Sequence, residues 1–333
     1  MVIDEPDIYL HADLQRRLYN DIKEQFGQFF IATHASEIIN EAEAADIVLV
    51  NPQNDHGKRV KTIAEYDSAL EYVGSSQNAD FAKIARGKRI IFVEGDDAKF
   101  LRRLAKRLEL DSLAQGQKVP IFKLGGFSQW KRAEDTAWAF RNLVDVEIEI
   151  HCLFDRDYRC QAEVDAFTDR MKGSDMKCAV LGRKEIENYL LVPSLLARVA
   201  NQQLNKRPGN TKKVTERDME NILDEVTEEL KTNTSSQIVG TAMKHFGPIG
   251  QGRDYSVTID EMLKWFDRKW KTREGRLSIC GGKEVFSALN GKLQAEFKVS
   301  VTAVAAATQA QRSELDAEFV AVLTELDSFS NVN

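Results

Sequence analysis

From Lys88 onward the chain repeats one pattern four times: a short apolar run, a cluster of acids or glycines, then a helical stretch. The runs are Ile90-Ile91-Phe92-Val93, Val119 to Leu124, Glu147 to Phe154 and Lys177 to Leu181. Apolar strands alternating with helices predict a parallel sheet covered on both faces. The first run ends in Glu94-Gly95-Asp96-Asp97 and the second in Gly125-Gly126. The third ends in Asp155-Arg156-Asp157, and Glu185 and Glu187 follow the fourth. Ligands of such sheets collect at the carboxyl ends of the strands, so the acids fall where chemistry is expected.

A length of 333 residues suggests two or three domains at roughly 150 residues each. The segment 1–80 opens on Val2-Ile3, the end of a buried strand delivering Asp4-Glu5-Pro6. A helix with an apolar stripe at Leu10, Leu14, Leu18 and Ile22 follows. A second strand, Phe29 to Ala32, then runs into Thr33-His34-Ala35-Ser36. A central strand at the very start needs neighbours on both sides. Residues 86–194 hold the α/β repeat. Residues 195–275 read as a helical insertion, with Thr215-x-x-Asp218 and Thr258-x-x-Glu261 as caps. Residues 276–333 complete the α/β domain and end in a helical tail, which makes a homodimer an expectation.

Forty-six basic residues against fifty-two acidic give a net charge of −6, so a nucleic-acid surface must be a local patch. Cys152, Cys160, Cys178 and Cys280 form no CxxC pair, which argues reduced thiols rather than a zinc site or disulfide frame. No apolar run approaches the ~18 residues of a membrane span, and the first residues lack the pattern of a signal peptide. A cytoplasmic protein without a membrane partner is expected.

Two carboxylates two residues apart at a strand end can point the same way, because strand side chains repeat every second residue. Crowded like charges at a buried edge are costly unless a cation sits among them, and hard divalent cations prefer oxygen ligands. Asp-x-Asp alone is as compatible with a turn. Glu94 at the end of another strand of the same sheet favours the metal reading, whereas Asp97 equally suits the first turn of a helix. With Glu185 and Glu187, three strands present acids at one edge. That suffices for two cations ~3.5–4 Å apart, as in phosphodiester-cleaving sites.

The pair Ile-Phe-Val-Glu94-Gly95 and Leu-Phe-Asp155-Arg156-Asp157 resembles the two-part motif of the Toprim domain of topoisomerases, primases and nucleases. The order of further motifs is similar to that of the OLD (overcoming lysogenization defect) family, class 2, which joins an ABC-type ATPase to a Toprim nuclease. Val-Ile-Asp4-Glu5-Pro6-Asp7 looks like a Walker B strand and Ala-Thr33-His34-Ala-Ser36 like the switch histidine. Arg183-Lys-Glu185-Ile-Glu187 and Gly282-Lys283 look like the later acidic and lysine elements. The likeness covers most of the chain, with little motif content in 195–275 and the tail. It implies a Rossmann-like Toprim sheet flanked by helices, with an inserted helical subdomain, behind a partial ABC-ATPase segment. It also implies metal ligands at Glu94, Asp97, Asp155, Asp157, Glu185 and Glu187, with Lys283 as a catalytic cation. Many members place the second acid four residues after the glutamate, so Asp96 and Asp97 both remain open as ligands.

The Gly-Lys pairs beginning at Gly57, Gly87, Gly282 and Gly291 all lack a glycine five positions earlier, so no P-loop is present. Asp4, Glu5 and His34 are therefore expected to act on ATP only in a longer protein of which this chain is the C-terminal portion. Lys99, Arg102, Arg103, Lys106 and Arg107 line one helix face that would lie beside the acids and receive DNA. Arg268, Lys269, Lys271 and Arg273 form a second basic run; each run singly fits plain solvation equally well. The expected activity is a DNA endonuclease using two Mg²⁺ or Mn²⁺ ions. A non-catalytic DNA-binding or dimerisation module and an aspartyl-type phosphohydrolase are the alternatives.

Overall fold

A computed structural model describes residues 1–6, 10–42, 46–50, 57–60, 83–84, 86–95, 97–116, 118–126, 129–143, 147–209, 211–247 and 254–331. The chain divides into two units, Met1–Arg86 and Gly87–Asn333.

In the first unit, β1 (Val2–Asp4) pairs in parallel with β2 (Phe30–Ala32), setting Asp4 opposite Ala32. Helix α1 (Ala12–Gln25) connects them, and α2 (Ser36–Glu41) follows β2. A short antiparallel pair, β3 (Val48–Leu49) and β4 (Lys58–Arg59), completes the described elements. The core is small, built on Tyr19, Ala35 and Ile38. The expected stripe on α1 is only partly buried. Ile22 is inside, but Leu14 is 48% exposed and Tyr19 takes the inward position. Two short strands offer too little apolar surface to cover a longer stripe, and Val2 itself is 82% exposed.

The second unit is α/β, with a parallel sheet flanked by helices. Its strands are β5 (Arg89–Val93), β6 (Ile121–Lys123), β7 (Glu149–Phe154) and β8 (Lys177–Val180), in the order β6-β5-β7-β8. Every pairing is parallel. Helices α3 (Ala98–Arg107) and α4 (Asp111–Gln115) lead to β6, α5 (Lys131–Leu143) to β7 and α6 (Gln161–Gly173) to β8. The chain moves outward from β5 to β6, then returns across β5 to β7. The β5/β7 boundary is therefore the topological switch point, where the crossovers part and leave a crevice at the carboxyl edge. Burial of both faces makes the central strands near-continuously apolar: Ile90 through Val93 and Ile150 through Phe154 are all inside.

Beyond β8 a 3-10 turn (Ile186–Leu190) leads to α7 (Pro193–Asn205), the long α8 (Glu216–Phe246), α9 (Tyr255–Trp270), α10 (Arg273–Ile279) and α11 (Gly282–Glu296). Helices α12 (Ala303–Gln309) and α13 (Ala317–Ser330) end the chain. One apolar core runs from Ile91 and Leu104 through Tyr189, Leu223 and Leu289 to Phe329. Residues 195–275 thus share the core of the sheet rather than enclosing their own. The tail is also absorbed: Phe319, Leu323 and Leu326 of α13 are fully buried, and the helix packs on α3, α4 and β5. Its apolar stripe is consumed within the chain, which removes the sequence argument for a homodimer.

The two expected caps fare differently. Thr215 accepts from the Asp218 amide at 3.1 Å and completes a capping box, a contribution of about 1 kcal/mol. Thr258 is inside α9 instead: Asp254 caps the Ser256 amide at 2.7 Å, and the Thr258 hydroxyl donates back to the Asp254 carbonyl. A Thr-x-x-Glu spacing one turn inside a helix mimics a start. Among the described residues no helix is long and apolar enough to cross a membrane.

Candidate metal centre

The carboxyl edge at the switch point is built by the ends of β5, β7 and β8. Glu94 follows β5 directly, and its Oε2 accepts the Asp155 amide at 3.1 Å, tying the ends of β5 and β7 together. Asp155 follows β7 and is only 9% exposed; its Oδ1 accepts the Ile186 amide at 3.1 Å. The turn after β8 therefore docks on Asp155 and brings Glu187 to the same edge. On the β6 side, Gly125 and Gly126 turn the chain at positive φ. A methyl on Gly126 would stand 3.9 Å from Glu94 Oε1.

Negative charge accumulates here beyond what the protein neutralises. Burial, then the charges of Asp97, Glu94, Glu187 and Asp157, push the Asp155 carboxyl up to about 8. Burial also raises Glu187, against its own amide and Lys283, with Glu185 and Asp97 adding to the rise. Glu187 Oε2 is buried and has no hydrogen-bond partner. The ammonium of Lys283 stands 3.7 Å from Glu187 Oε1. Burial opposes its charge, but Glu187, Glu185, Asp155 and Asp97 together outweigh that and raise it.

Three of the expected ligands also engage other groups. Asp97 Oδ2 accepts the Gly95 amide at 3.1 Å, within its own turn. Asp157 adopts φ +51° and pairs with Arg159 at 2.7 Å. The strand has already ended at Phe154, so the two-residue alternation does not by itself set the direction of Asp157. Glu185 binds Lys184 through one oxygen and accepts the Lys283 amide at 3.0 Å through the other. Burial opposes ionisation of Glu185, but Lys184 and Lys283 hold it below the usual carboxylate range. Asp96 and Asp7 lie outside the described residues.

The sequence reading missed Asn188, which is fully buried and fastens the acidic turn to α10 and its C-terminal cap, Cys280. It donates to the Leu277 and Cys280 carbonyls at 2.7 and 2.8 Å, and its Oδ1 accepts the Glu185 amide at 2.8 Å. Its signal was a second polar side chain, directly after Glu187, in the run Ile-Glu-Asn-Tyr-Leu-Leu. Gly282 serves the same joint. A methyl there would lie 2.8 Å from Asn188 Oδ1 and 3.0 Å from Glu187 Cβ, so glycine permits helix α11 to approach the acids.

The basic helix is less close than its sequence suggests. Helix α3 starts at the acidic edge and runs back along the sheet. At 1.5 Å per residue, Arg107 lies roughly 15 Å along the axis from Asp97. Arg103 and Lys106 are exposed, Arg107 donates to the Ala310 carbonyl at 3.3 Å, and the Arg102 Nε is buried against Gly116. In the second basic run, Arg273 is committed to Asp224 and Glu220. In the first unit, His34 Nδ1 stands 3.4 Å from Glu5 Oε1, with Asp4 ending the adjacent strand; both partners are exposed.

Among the described residues, no three His, Cys, Asp or Glu side chains converge closely enough to hold a metal ion as they stand. The chemistry of the donor set still fits a hard cation: oxygen ligands, excess negative charge and a buried carboxylate oxygen without a partner. Against known proteins, no family model matches the chain, and no curated protein is significantly similar to it.

Proposed function

We propose that the carboxyl edge of β5, β7 and β8 is the site of a divalent-cation-dependent endonuclease of the Toprim type. The observation that carries this reading is the tie between Glu94 and Asp155 at the switch point of a parallel sheet, with the turn that carries Glu187 docked on Asp155. Glu94, Asp155 and Glu187 would hold Mg²⁺ or Mn²⁺, with Asp97 and Asp157 completing a two-ion set. When bound, the cation supplies Lewis acidity toward a phosphodiester and activates water for attack on phosphorus. The rest falls to the chain. Lys283, exposed at its tip and anchored by Glu187, faces the charge that develops on the phosphate. Glu185 positions it by accepting its amide. Asn188 keeps the acidic turn docked on α10 and its cap, Cys280, which leads into α11.

The substrate proposed is DNA, recruited by Arg102, Arg103, Lys106 and Arg107 on α3, and ATP belongs to the reading only through Asp4, Glu5 and His34. Calorimetric titration with Mn²⁺ at neutral pH tests the site. Wild type is expected to bind, and Asp155→Asn to bind at least tenfold more weakly. Absence of Mn²⁺ binding by wild type would favour the non-catalytic module.

A further inference from the structure

We infer that the cavity behind the Asp-x-Asp loop is a binding site for one unpaired nucleotide, a flat base carrying a phosphate. The cavity has a volume of about 350 Å³ and lies between residues 156–162 and helices α8 and α9. That volume is at the lower end of the range for small-molecule sites, enough for a single nucleotide-sized ligand.

Charge and shape identify the occupant. Four basic side chains, Arg156, Arg159, Lys184 and Lys269, line the cavity against two acidic ones, Asp157 and Glu261. Arg159 is paired with Asp157 and Lys184 with Glu185, which leaves Arg156 and Lys269 without an ion-pair partner among the described residues, and Arg156 is the better placed to take an anion. One of its nitrogens donates to Gln161 Oε1 at 2.9 Å; its other two have no acceptor among the described residues. A half-buried guanidinium with open donors suits a phosphate, which it can grip with two parallel hydrogen bonds. The remaining wall is aromatic and apolar, with Tyr158, Trp265 and Met262. Bases stack on such side chains regardless of sequence, for about 1–3 kcal/mol each. Lys184 sits 4.6 Å from the Tyr158 ring centre and Lys269 sits 6.0 Å from that of Trp265, so cations already flank both rings.

Asp157 belongs to this wall as well as to the acidic edge, so a nucleotide held here adjoins the scissile position; that placement rests on the nuclease reading, while the cavity itself does not. The ligand could arrive free or as part of a strand, and the experiment separates the two. Binding to the full chain is measured in EDTA, so the metal site does not contribute, using thymidine 5′-monophosphate, thymidine, inorganic phosphate and a six-residue oligothymidylate. The monophosphate is expected to bind at least tenfold more tightly than phosphate. Arg156→Gln is expected to weaken the monophosphate at least tenfold and leave thymidine unchanged. Met262→Trp, which fills the cavity, is expected to abolish both. A tenfold preference for the oligonucleotide over the monophosphate identifies a strand as the source; equal affinity identifies the free nucleotide. Because the measurement is made in EDTA, failure of the metal site leaves this result standing. Monophosphate binding no tighter than phosphate, or unchanged by both Arg156→Gln and Met262→Trp, would overturn the inference.

Discussion

Asp155 is buried at a sheet edge with Asp97, Glu94, Glu187 and Asp157 around it, and its carboxyl titrates near 8 rather than near 4. The unfolded chain releases this proton near pH 4 while the folded chain retains it. The contribution of this group to stability is therefore fully present below pH 4 and is lost as pH rises toward 8. Asp155→Asn removes the titration. In EDTA the variant is expected to melt higher than wild type at pH 8 and to lose the advantage at pH 4. A gain of 1 kcal/mol would read as roughly 2–4 °C. Equal melting temperatures at pH 8 would show that the acid cluster carries no strain. Lys283 behaves differently because it neutralises charge instead of holding a cation. Lys283→Ala is expected to retain Mn²⁺ affinity and lose about 10²–10³ in cleavage rate. Unimpaired cleavage would leave Gly281-Gly282-Lys283 as a helix start and nothing more.

At the level of elements, the four strands of the sheet and the acids at their ends were legible because buried parallel strands are continuous apolar runs. Glu94, Asp155 and Glu187 were named from that pattern; Glu94 accepts the Asp155 amide, and Asp155 accepts the amide of Ile186, next to Glu187. Asp157 and Asp97 were harder to read, since their direction depends on a positive φ and on a local amide, neither visible in residue spacing. Asn188 was missed because its three partners are backbone groups, two of them about ninety residues away. The joint it forms gives a sharp contrast between adjacent glycines. Gly282→Ala drives a methyl into Asn188 and the Glu187 Cβ and is expected to cost about 1–3 kcal/mol. Gly281→Ala meets only the flexible end of Glu284 and should cost less. Chemical denaturation of both variants checks this, and equal losses would mean the close approach of α11 is not needed.

Over the whole Gly87–Asn333 unit, the helices after β8 share one core with the sheet, and the tail helix closes that core beneath β5. Helix periodicity alone could not distinguish this from a separate subdomain, because a buried stripe does not name the surface that buries it. The consequence for function is that α10 and α11 reach the acidic edge from the helical half and deliver Lys283 there. Sheet and helices thus contribute to one site, and plasmid cleavage tests that claim most directly. Supercoiled plasmid is incubated with wild type, Glu94→Gln and Asp155→Asn in Mg²⁺, in Mn²⁺ and in EDTA. Nicked or linear product from wild type with a divalent cation, and from neither variant, is the predicted result. Intact plasmid with wild type in both cations, or equal cleavage by Asp155→Asn, would contradict it.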